Sequence, residues 1–182
     1  RSSDLSVLTM GGLVEHQCRH ALEALVSGDE KMARSVAKSD YQVNELELQI
    51  SAQCTEILAR RQPAARDLRM VVAIIRMVSN LERIGDEAAK VGRMAMKLAD
   101  DRDRQSYYTE PKHLGDGVSA MLQGALDAFA RLDVELAISI IARDEEIDRE
   151  FKTLTRLLMT HMMEHPQRVK NMLRVNSCAR AL

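Results

Sequence analysis

The stretch Asn80-Leu81-Glu82-Arg83-Ile84-Gly85-Asp86 lies inside a long apolar segment that covers residues 68–98. Apolar residues recur in this segment in alternating steps of four and three, which is the pattern of a helix that packs against other helices. This seam contains Met70, Ile74, Met77, Leu81, Ile84, Ala88, Val91, Ala95 and Leu98. Because no proline interrupts the seam, we predict one long helix that begins at Pro63 and ends near Asp100.

Two acidic side chains of this helix, Glu82 and Asp86, are four residues apart and therefore stand one turn above the other. They lie off the apolar seam, on a face that they share with Gly85, Ala89, Gly92 and Arg93. Stacked carboxylates beside small residues suit a hard cation or an approaching basic group. The alternative is a solvated acidic face with neighbouring arginines, because many clusters of surface charge contact only water.

The composition favours long helices with an aliphatic core. Hydrophobic residues make up 46% of the 182 residues, but aromatic residues make up only 3% and tryptophan is absent. Such a core is filled by aliphatic residues and methionine, as in helix bundles. The net charge of −1 and the absence of an aromatic platform among the basic residues argue against nucleic-acid binding. No apolar run is long enough to cross a bilayer, so we predict no membrane insertion.

The second half of the chain repeats the first at an offset of 104 residues. The matching pairs include Gly11 and Gly115, Val14 and Val118, Leu22 and Leu126, Asp29 and Asp133, and Asp40 and Asp144. In the first half, we predict three helices. The first covers residues 5–27, the second covers residues 30–60, and the third is the long helix described above. A polar linker covers residues 100–106, and a new helix begins near His113. We therefore predict an all-α fold of two tandem three-helix bundles, residues 1–104 and 105–182, the second cut short in its third helix.

A carboxylate interrupts the apolar stripe of the second helix at Asp40, and Asp144 does so at the matching position of the second repeat. Asp40 and Asn44 of the second helix can join Glu82 and Asp86 of the third. Four oxygen donors from two facing helices resemble the carboxylate metal sites of helical bundles. Alternatively, each aspartate is held by hydrogen bonds to an arginine of the next helix.

Histidines occur in two helical groups. His161-Met162-Met163-Glu164-His165 matches the pattern of the inverzincin zinc peptidases. The motif is short and ends immediately before Pro166, so we do not expect a catalytic site there. His16 and His20 share a helix face without a third ligand nearby in the sequence, and we interpret them as surface residues or adventitious ligands of soft divalent metals. Cys18, Cys54 and Cys178 lack metal-type spacing and indicate free thiols in a reducing cytoplasm.

Several segments taken together resemble the PhoU family of phosphate-signalling regulators. Residues 10–15 are similar to the opening helix of that family. The first-repeat signature is carried by Asn44-Glu45-Leu46-Glu47, Ala59-Arg60-Arg61-Gln62-Pro63 and Leu81-Glu82-Arg83-Ile84-Gly85-Asp86, and that of the second repeat by Asp127-Ala128-Phe129 and residues 143–148. The resemblance covers essentially the whole chain.

The resemblance implies a non-enzymatic regulator with two three-helix bundles, commonly dimeric, in the bacterial cytoplasm. Such a protein represses the phosphate-starvation response when phosphate is plentiful and modulates phosphate transport. It is expected to connect the ATPase subunit of the phosphate ABC transporter with a membrane sensor histidine kinase. The alternative is a metal-binding helical bundle with an enzymatic or metal-storage role on the same carboxylates.

The resemblance also implies metal sites, because some members of the family hold iron or zinc on a Glu/Asp-x-x-x-Asp motif in each repeat. No cofactor is required, but any iron or zinc is expected at the carboxylates rather than at His161 and His165. The implied metal ligands are Glu82, Asp86, Asp40, Asn44, Asp144 and Asp148. Asn44 replaces the second acid after Asp40, and a second Glu-Arg-Ile-Gly-Asp is absent, which weakens the prediction for the second half.

The same motif is the implied contact with protein partners. Arg83, Glu82 and Asp86 are the residues that we expect to bind a partner surface. Their charges would give such a contact its specificity.

Overall fold

A computed structural model describes residues 2–61, 64–101 and 107–182 of the chain. These residues form six α-helices and a short 3₁₀ turn, with no strand among them. The helices are α1 (Ser2–Ser27), α2 (Glu30–Arg61), α3 (Ala65–Lys97), α4 (Thr109–Arg131), α5 (Val134–Glu164) and α6 (Val169–Ala181), with the 3₁₀ turn at Pro166–Arg168. The predicted break at Gln62-Pro63 and residues 102–106 of the predicted linker lie outside the described residues. The all-α fold with two bundles and a short last helix is confirmed.

The turns that begin the second helix of each repeat use the same capping residue. Asp29 Oδ1 accepts a hydrogen bond from the backbone N–H of Met32 at 3.0 Å. Asp133 Oδ1 accepts one from the N–H of Leu136 at 2.9 Å. Such caps satisfy a backbone donor that has no partner within the helix, and each typically contributes about 1 kcal/mol of stability. The repeat found in the sequence therefore includes the local interactions that start its helices.

Helices α1 and α3 carry apolar residues on two sides and connect the two halves. In the first bundle, α1, α2 and α3 enclose a core that includes Val14, Val43 and Leu81. A second core joins α1 and α3 to α4, α5 and α6, with Leu25 and Val91 among its members. The two halves are therefore packed against each other through α1 and α3.

The predicted seam of α3 is confirmed along most of its length and wrong at its beginning. Leu81 and Val91 are buried as expected, but Met70 is 36% exposed. The buried positions nearby are Val71 and Val78, which the seam left out. A straight helix has 3.6 residues per turn, whereas the predicted seam repeats every 3.5 residues. The seam therefore rotates by about 20° per heptad around the helix, and over a long helix its residues turn away from the core.

The small-residue face of α3 is a packing surface, which corrects its interpretation as a face open to solvent or to a cation. A Cβ atom added at Gly92 would lie 3.0 Å from the backbone oxygen of Ala33 in α2. A Cβ atom added at Gly85 would lie 3.2 Å from Cγ1 of Val43. Because α2 approaches α3 so closely here, the carboxylates on the edge of this face lie beside those of α2.

The ends of three helices differ from the predicted ones. Helix α1 is already helical at Ser2, three residues before the predicted start, and α3 ends at Lys97 rather than near Asp100. Helix α4 begins at Thr109 instead of near His113, after two buried tyrosines. The Nη1 atom of Arg174 in α6 donates a hydrogen bond to the carbonyl oxygen of Lys97 at 3.1 Å. This contact satisfies a terminal carbonyl of α3 from the second half of the chain.

Within the described ranges, every helix is too short or too polar to cross a lipid bilayer.

Candidate functional site

Acidic and amide side chains of α2 and α3 meet at the edge of the first bundle. Asp40, Asn44 and Glu47 follow one face of α2, and Glu82 and Asp86 face them from α3. The carboxyl groups of Asp40 and Asp86 lie close enough to perturb each other, and Glu82 lies within electrostatic reach of both and of Glu47. We refer to these five half-buried side chains as the carboxylate cluster. The predicted meeting of Asp40 with Glu82 and Asp86 is thus present in the structure.

Two carboxyl groups of the cluster resist ionisation. Burial raises the pKa of Asp40, and the neighbouring Asp86 raises it further, whereas the charge of Arg93 acts in the opposite direction. Burial also raises the pKa of Glu82, followed by the charges of Asp86, Asp40 and Glu47, and Arg83 opposes them. The cluster therefore carries more negative charge than its neighbours balance, and a bound proton or cation would stabilise it.

Buried oxygen atoms without partners lie in and beside the cluster. Oδ1 of Asp40 and Oδ1 of Asn44 are buried and accept no hydrogen bond. Next to them, Gln17 of α1 is 2% exposed, and its Oε1 is likewise without a partner. Its Nε2 donates to Oγ of Ser39 at 2.8 Å. An unsatisfied buried acceptor typically costs about 1–3 kcal/mol, so these atoms are suited to a positively charged ligand.

The donor set of the cluster fits a metal ion that prefers oxygen. All the donors are carboxylate or amide oxygens, which are the ligands of hard cations and of the iron sites in carboxylate helix bundles. Oδ1 of Asp40 and Oδ1 of Asn44 are buried and have no hydrogen-bond partner within the protein, so an ion would displace none there. Asp40, Asn44, Glu82 and Asp86 are therefore the residues that would hold such an ion in the first half.

The second half presents its acidic pair differently. Asp144 and Asp148 lie on α5, as the repeat predicts, but both are exposed. They border an apolar cavity of about 510 Å³ that is lined by α1, α3, α4, α5 and the end of α6. The end of α6 lines this cavity with Ala179, Arg180 and Ala181. The structure brings Asp40, Asn44, Glu82 and Asp86 to one edge of the first bundle, but the donor atoms of the three acids are not all within 4.8 Å of one another. Asp144 and Asp148 lie apart from them.

Arg83, the remaining predicted residue, is exposed on α3 directly beside the cluster. Its positive charge lies close enough to Glu82 to lower the pKa of that carboxyl group. Guanidinium and carboxylate groups are therefore presented together at this edge of the bundle.

Sequence reasoning missed two features of this region. Glu47 lies seven residues after Asp40, and that spacing would have placed it on the same helix face. Gln17 is a single polar residue of α1, and no spacing signal identifies it. Elsewhere in the molecule, the histidine motif that the sequence analysis did not expect to be catalytic brings the donor atoms of His161, Glu164 and His165 within 4.8 Å of one another.

The chain is similar to known proteins over almost all of its length. A family model described as the PhoU domain matches residues 7–95 and again residues 112–182. The phosphate-specific transport system accessory protein PhoU homolog of Pseudomonas aeruginosa is 46% identical over 176 residues, covering 97% of this chain and 73% of that protein. The phosphate-specific transport system accessory protein PhoU of Escherichia coli is 39% identical over the same shares of the two chains.

Solved structures show the same arrangement of helices. The crystal structure of PhoU from Pseudomonas aeruginosa superposes with a TM-score of 0.96 at 44% identity and covers 99% of this chain and 86% of that chain. The phosphate transport system regulatory protein PhoU from Streptococcus pneumoniae superposes with a TM-score of 0.84 at 28% identity, covering 99% of this chain and 87% of that one. These names describe accessory and regulatory proteins rather than enzymes, in agreement with the sequence-based expectation. The chain belongs to the PhoU family.

Proposed function

We propose that this protein is a regulatory adaptor of phosphate homeostasis that represses the phosphate-starvation response when phosphate is plentiful. The observation that carries the proposal is the similarity to accessory proteins of phosphate-specific transport, which extends over 97% of the chain. As such an adaptor, the protein links the ATPase subunit of the phosphate ABC transporter to a phosphate sensor histidine kinase in the cytoplasm. It modulates phosphate transport through the same contacts.

The surface around the carboxylate cluster supports a contact with charged partner residues. Arg83 is exposed, whereas Glu82 and Asp86 are half-buried and held in place by α2. A partner that brings a basic group to the two carboxylates would relieve the repulsion that raises the pKa of Glu82. These three residues are therefore our candidates for partner binding.

A second surface suits an apolar partner or a second copy of the chain. Val134, Ile138 and Ile141 occur at helical spacing on α5 and are 69%, 61% and 72% exposed. Such a stripe is unusual on a surface that only water covers. It supports the proposal that the protein forms a homodimer or docks against a helix of the transporter or the kinase.

We further propose that the protein requires no cofactor and that the carboxylate cluster takes up iron or zinc when either metal is available. Support comes from the unpaired buried oxygens of Asp40 and Asn44 and from the raised pKa of Glu82. The all-oxygen donor set favours iron over zinc, which more often binds nitrogen and sulfur. Asp144 and Asp148 form a weaker second site because both are exposed.

A co-purification experiment tests the adaptor function. The intact protein is used to capture partners from cell extract, and the transporter ATPase and the histidine kinase are scored by immunoblot. In parallel, a phosphate-starvation reporter is measured in phosphate-rich medium with wild type and with the double variant Glu82→Gln, Asp86→Asn. We expect wild type to retain both partners and silence the reporter, and the double variant to derepress it. Capture of neither partner by the wild-type protein would refute the proposed link.

Metal analysis tests the cofactor separately. The double variant Glu82→Gln, Asp86→Asn should lose its iron or zinc, whereas Asp144→Asn with Asp148→Asn should retain most of it. The second pair is the matched comparison because it has the same spacing on an exposed helix face. Unchanged metal content in the first variant would remove the cluster as the site.

The alternative function, a metal-storage or metal-dependent catalytic bundle, is favoured by the same unpaired oxygens. Storage predicts many metal ions per chain, released on reduction or chelation. The adaptor predicts few ions per chain and a partner interaction that persists at constant metal content. Counting bound metal per chain while measuring partner capture distinguishes the two.

A further inference from the structure

Three metal-ligand side chains meet at the carboxyl end of α5, on a different part of the molecule from the carboxylate cluster. His161, Glu164 and His165 each offer a donor atom, and all three atoms lie within 4.8 Å of one another. Nδ1 of His161 is 3.8 Å from Oε2 of Glu164. Within the part of the chain that the structure describes, this group of His, Cys, Asp or Glu donors alone is gathered so closely. We infer that it binds a divalent cation of the zinc class.

The local backbone explains why these three side chains converge. Positions i, i+3 and i+4 share one face of a helix. The N–H of His165 donates to the carbonyl oxygen of His161 at 2.9 Å, so the helical turn is still closed at its last ligand. Pro166 then begins the 3₁₀ turn that leads into α6. The ligands are thus held by a closed helical turn with a fixed exit.

The donor chemistry selects the class of metal. Two imidazole nitrogens and one carboxylate oxygen are the ligand types of many zinc sites, whereas magnesium and calcium prefer oxygen alone. A tetrahedral zinc ion with bonds of 2.0–2.2 Å needs ligand atoms about 3.3 Å apart. The side chain of Glu164 is 60% exposed and that of His161 is 27% exposed, so Glu164 has room to rotate towards the imidazoles. A fourth position is left for water.

Two further considerations favour cation binding without peptidase activity. The carboxyl end of a helix carries partial negative charge, which stabilises a cation there. In an inverzincin the glutamate of the motif acts as a base beside the metal. Here the carboxylate of Glu164 lies within 4.8 Å of the imidazole donor atoms, close enough to bind the same cation. A carboxylate that binds the cation is not free to act as a base. The site therefore binds a cation at the corner between α5 and α6, and this inference is independent of the adaptor function.

Zinc titration of the full chain tests the inference. The metal-free protein is titrated with Zn²⁺ alone in competition with a chromophoric chelator, and with Co²⁺ to read the ligand field from its visible absorption. The background carries Glu82→Gln and Asp86→Asn, so that the carboxylate cluster does not contribute. We expect one equivalent of tightly bound Zn²⁺. The affinity should fall by at least about tenfold in His161→Gln with His165→Gln and in Glu164→Gln.

The matched control is His16→Gln with His20→Gln. These histidines are also four residues apart on a helix, and their rings are 3.8 Å apart, but they belong to no described group of three close donors. This control should keep the full zinc affinity and the cobalt spectrum. Zinc-induced shifts of the imidazole NMR signals of His161 and His165 provide a readout that does not depend on a variant. Unchanged zinc affinity in the His161, His165 variant, an unaffected Glu164→Gln, or loss of binding in the control would overturn the inference.

Discussion

Leu126 of α4 lies directly over Gly11 of α1, where an added Cβ atom would overlap with Cδ2 of the leucine and lie 3.0 Å from its Cδ1. The reciprocal contact is also present, since a Cβ atom added at Gly115 of α4 would lie 2.6 Å from Cδ1 of Leu22 in α1. Gly11 and Gly115, like Leu22 and Leu126, are related by the offset of 104 residues. The first helices of the two repeats therefore cross at contacts of the kind found in a symmetric interface, where each partner contributes the same residue pair.

A double-mutant cycle tests this crossing. Gly11→Ala should destabilise the protein by about 1–3 kcal/mol because the methyl group overpacks against a confined leucine. Leu126→Ala should cost about 2–5 kcal/mol through loss of burial and the resulting cavity. The double variant should be more stable than the sum of the two effects predicts, because the new methyl group enters the space that the leucine leaves. Urea unfolding of the four proteins measures the coupling.

The neighbouring glycine is the control for this cycle. A Cβ atom added at Gly12 meets no atom within 4 Å, and the residue is exposed. Gly12→Ala should therefore stabilise the protein by about 0.5–1 kcal/mol, the helix preference of alanine over glycine. Additivity of Gly11→Ala and Leu126→Ala to within about 0.5 kcal/mol would contradict the proposed contact.

A second prediction concerns the close approach of α2 and α3. An alanine at Gly92 would meet the backbone oxygen of Ala33 at 3.0 Å, and a backbone atom has no rotamer by which to move away. Gly92→Ala should therefore push the helices apart and cost about 1–3 kcal/mol, despite the better helix preference of alanine. Since the carboxylate cluster spans the same two helices, the metal binding that we propose for it should weaken as well. Unfolding and metal titration measure the two effects.

Gly124→Ala is the matched comparison for this variant. A Cβ atom added at Gly124 would lie 2.9 Å from Cδ1 of Ile140, which is the flexible end of a half-buried side chain. The isoleucine can turn aside, so the variant should be as stable as wild type or more stable. If both variants destabilise the protein equally, backbone contact is not the reason for glycine at position 92.

A third prediction compares two members of the predicted seam. Leu81 is 2% exposed and Met70 is 36% exposed. Leu81→Ala should cost about 2–5 kcal/mol because it leaves a cavity in the first core. Met70→Ala removes a side chain that is already partly in water and should cost less than about 1 kcal/mol. A thermal or urea melt of each variant checks the difference, and equal losses would mean that the seam extends to Met70 after all.

The seam illustrates how far the sequence predicts this fold. Spacing located the apolar side of α3, because burial at regular intervals is what makes a helix pack. It failed at Met70 because the predicted period differs slightly from that of a straight helix. The mismatch shows at the beginning of the helix, whereas Ala95 and Leu98 at its other end are buried as predicted. The repeat paired Asp29 with Asp133, and both residues cap a helix through local interactions that a few neighbouring residues determine.

The candidate site was predictable where two residues share a helix face and unpredictable where a third helix contributes. Spacing placed Glu82 and Asp86 together and suggested Asp40 as their neighbour. The small residues beside them were interpreted as room for a ligand, but Gly85 and Gly92 are where α2 packs. Burial of Gln17 depends on the crossing of α1 with the other helices, and nothing in its immediate neighbours encodes that geometry.

The last prediction concerns the pH dependence of stability at Glu82. Burial and three neighbouring carboxylates raise its pKa in the folded protein. Between the ordinary pKa of glutamate, about 4.3, and the raised value, the folded chain binds more protons than the unfolded chain. Stability contributed by this group is therefore fully present at lower pH and lost as pH rises through that window. Glutamine does not titrate, so Glu82→Gln removes this loss.

We therefore expect metal-free Glu82→Gln to melt at a higher temperature than metal-free wild type at pH 7. The difference should shrink towards zero as both proteins are taken to about pH 4. Glu45→Gln on α2 is the control, because Glu45 is exposed and is absent from the charges that act on Glu82. Its difference from wild type, measured over the same range, is the baseline against which the Glu82→Gln difference is compared. A Glu82→Gln variant that melts lower than wild type at pH 7 would show that Glu82 holds the bundle together through a contact, and that its charge is not a source of repulsion. In that case the cluster would be a structural network, and a cation would no longer be needed to explain it.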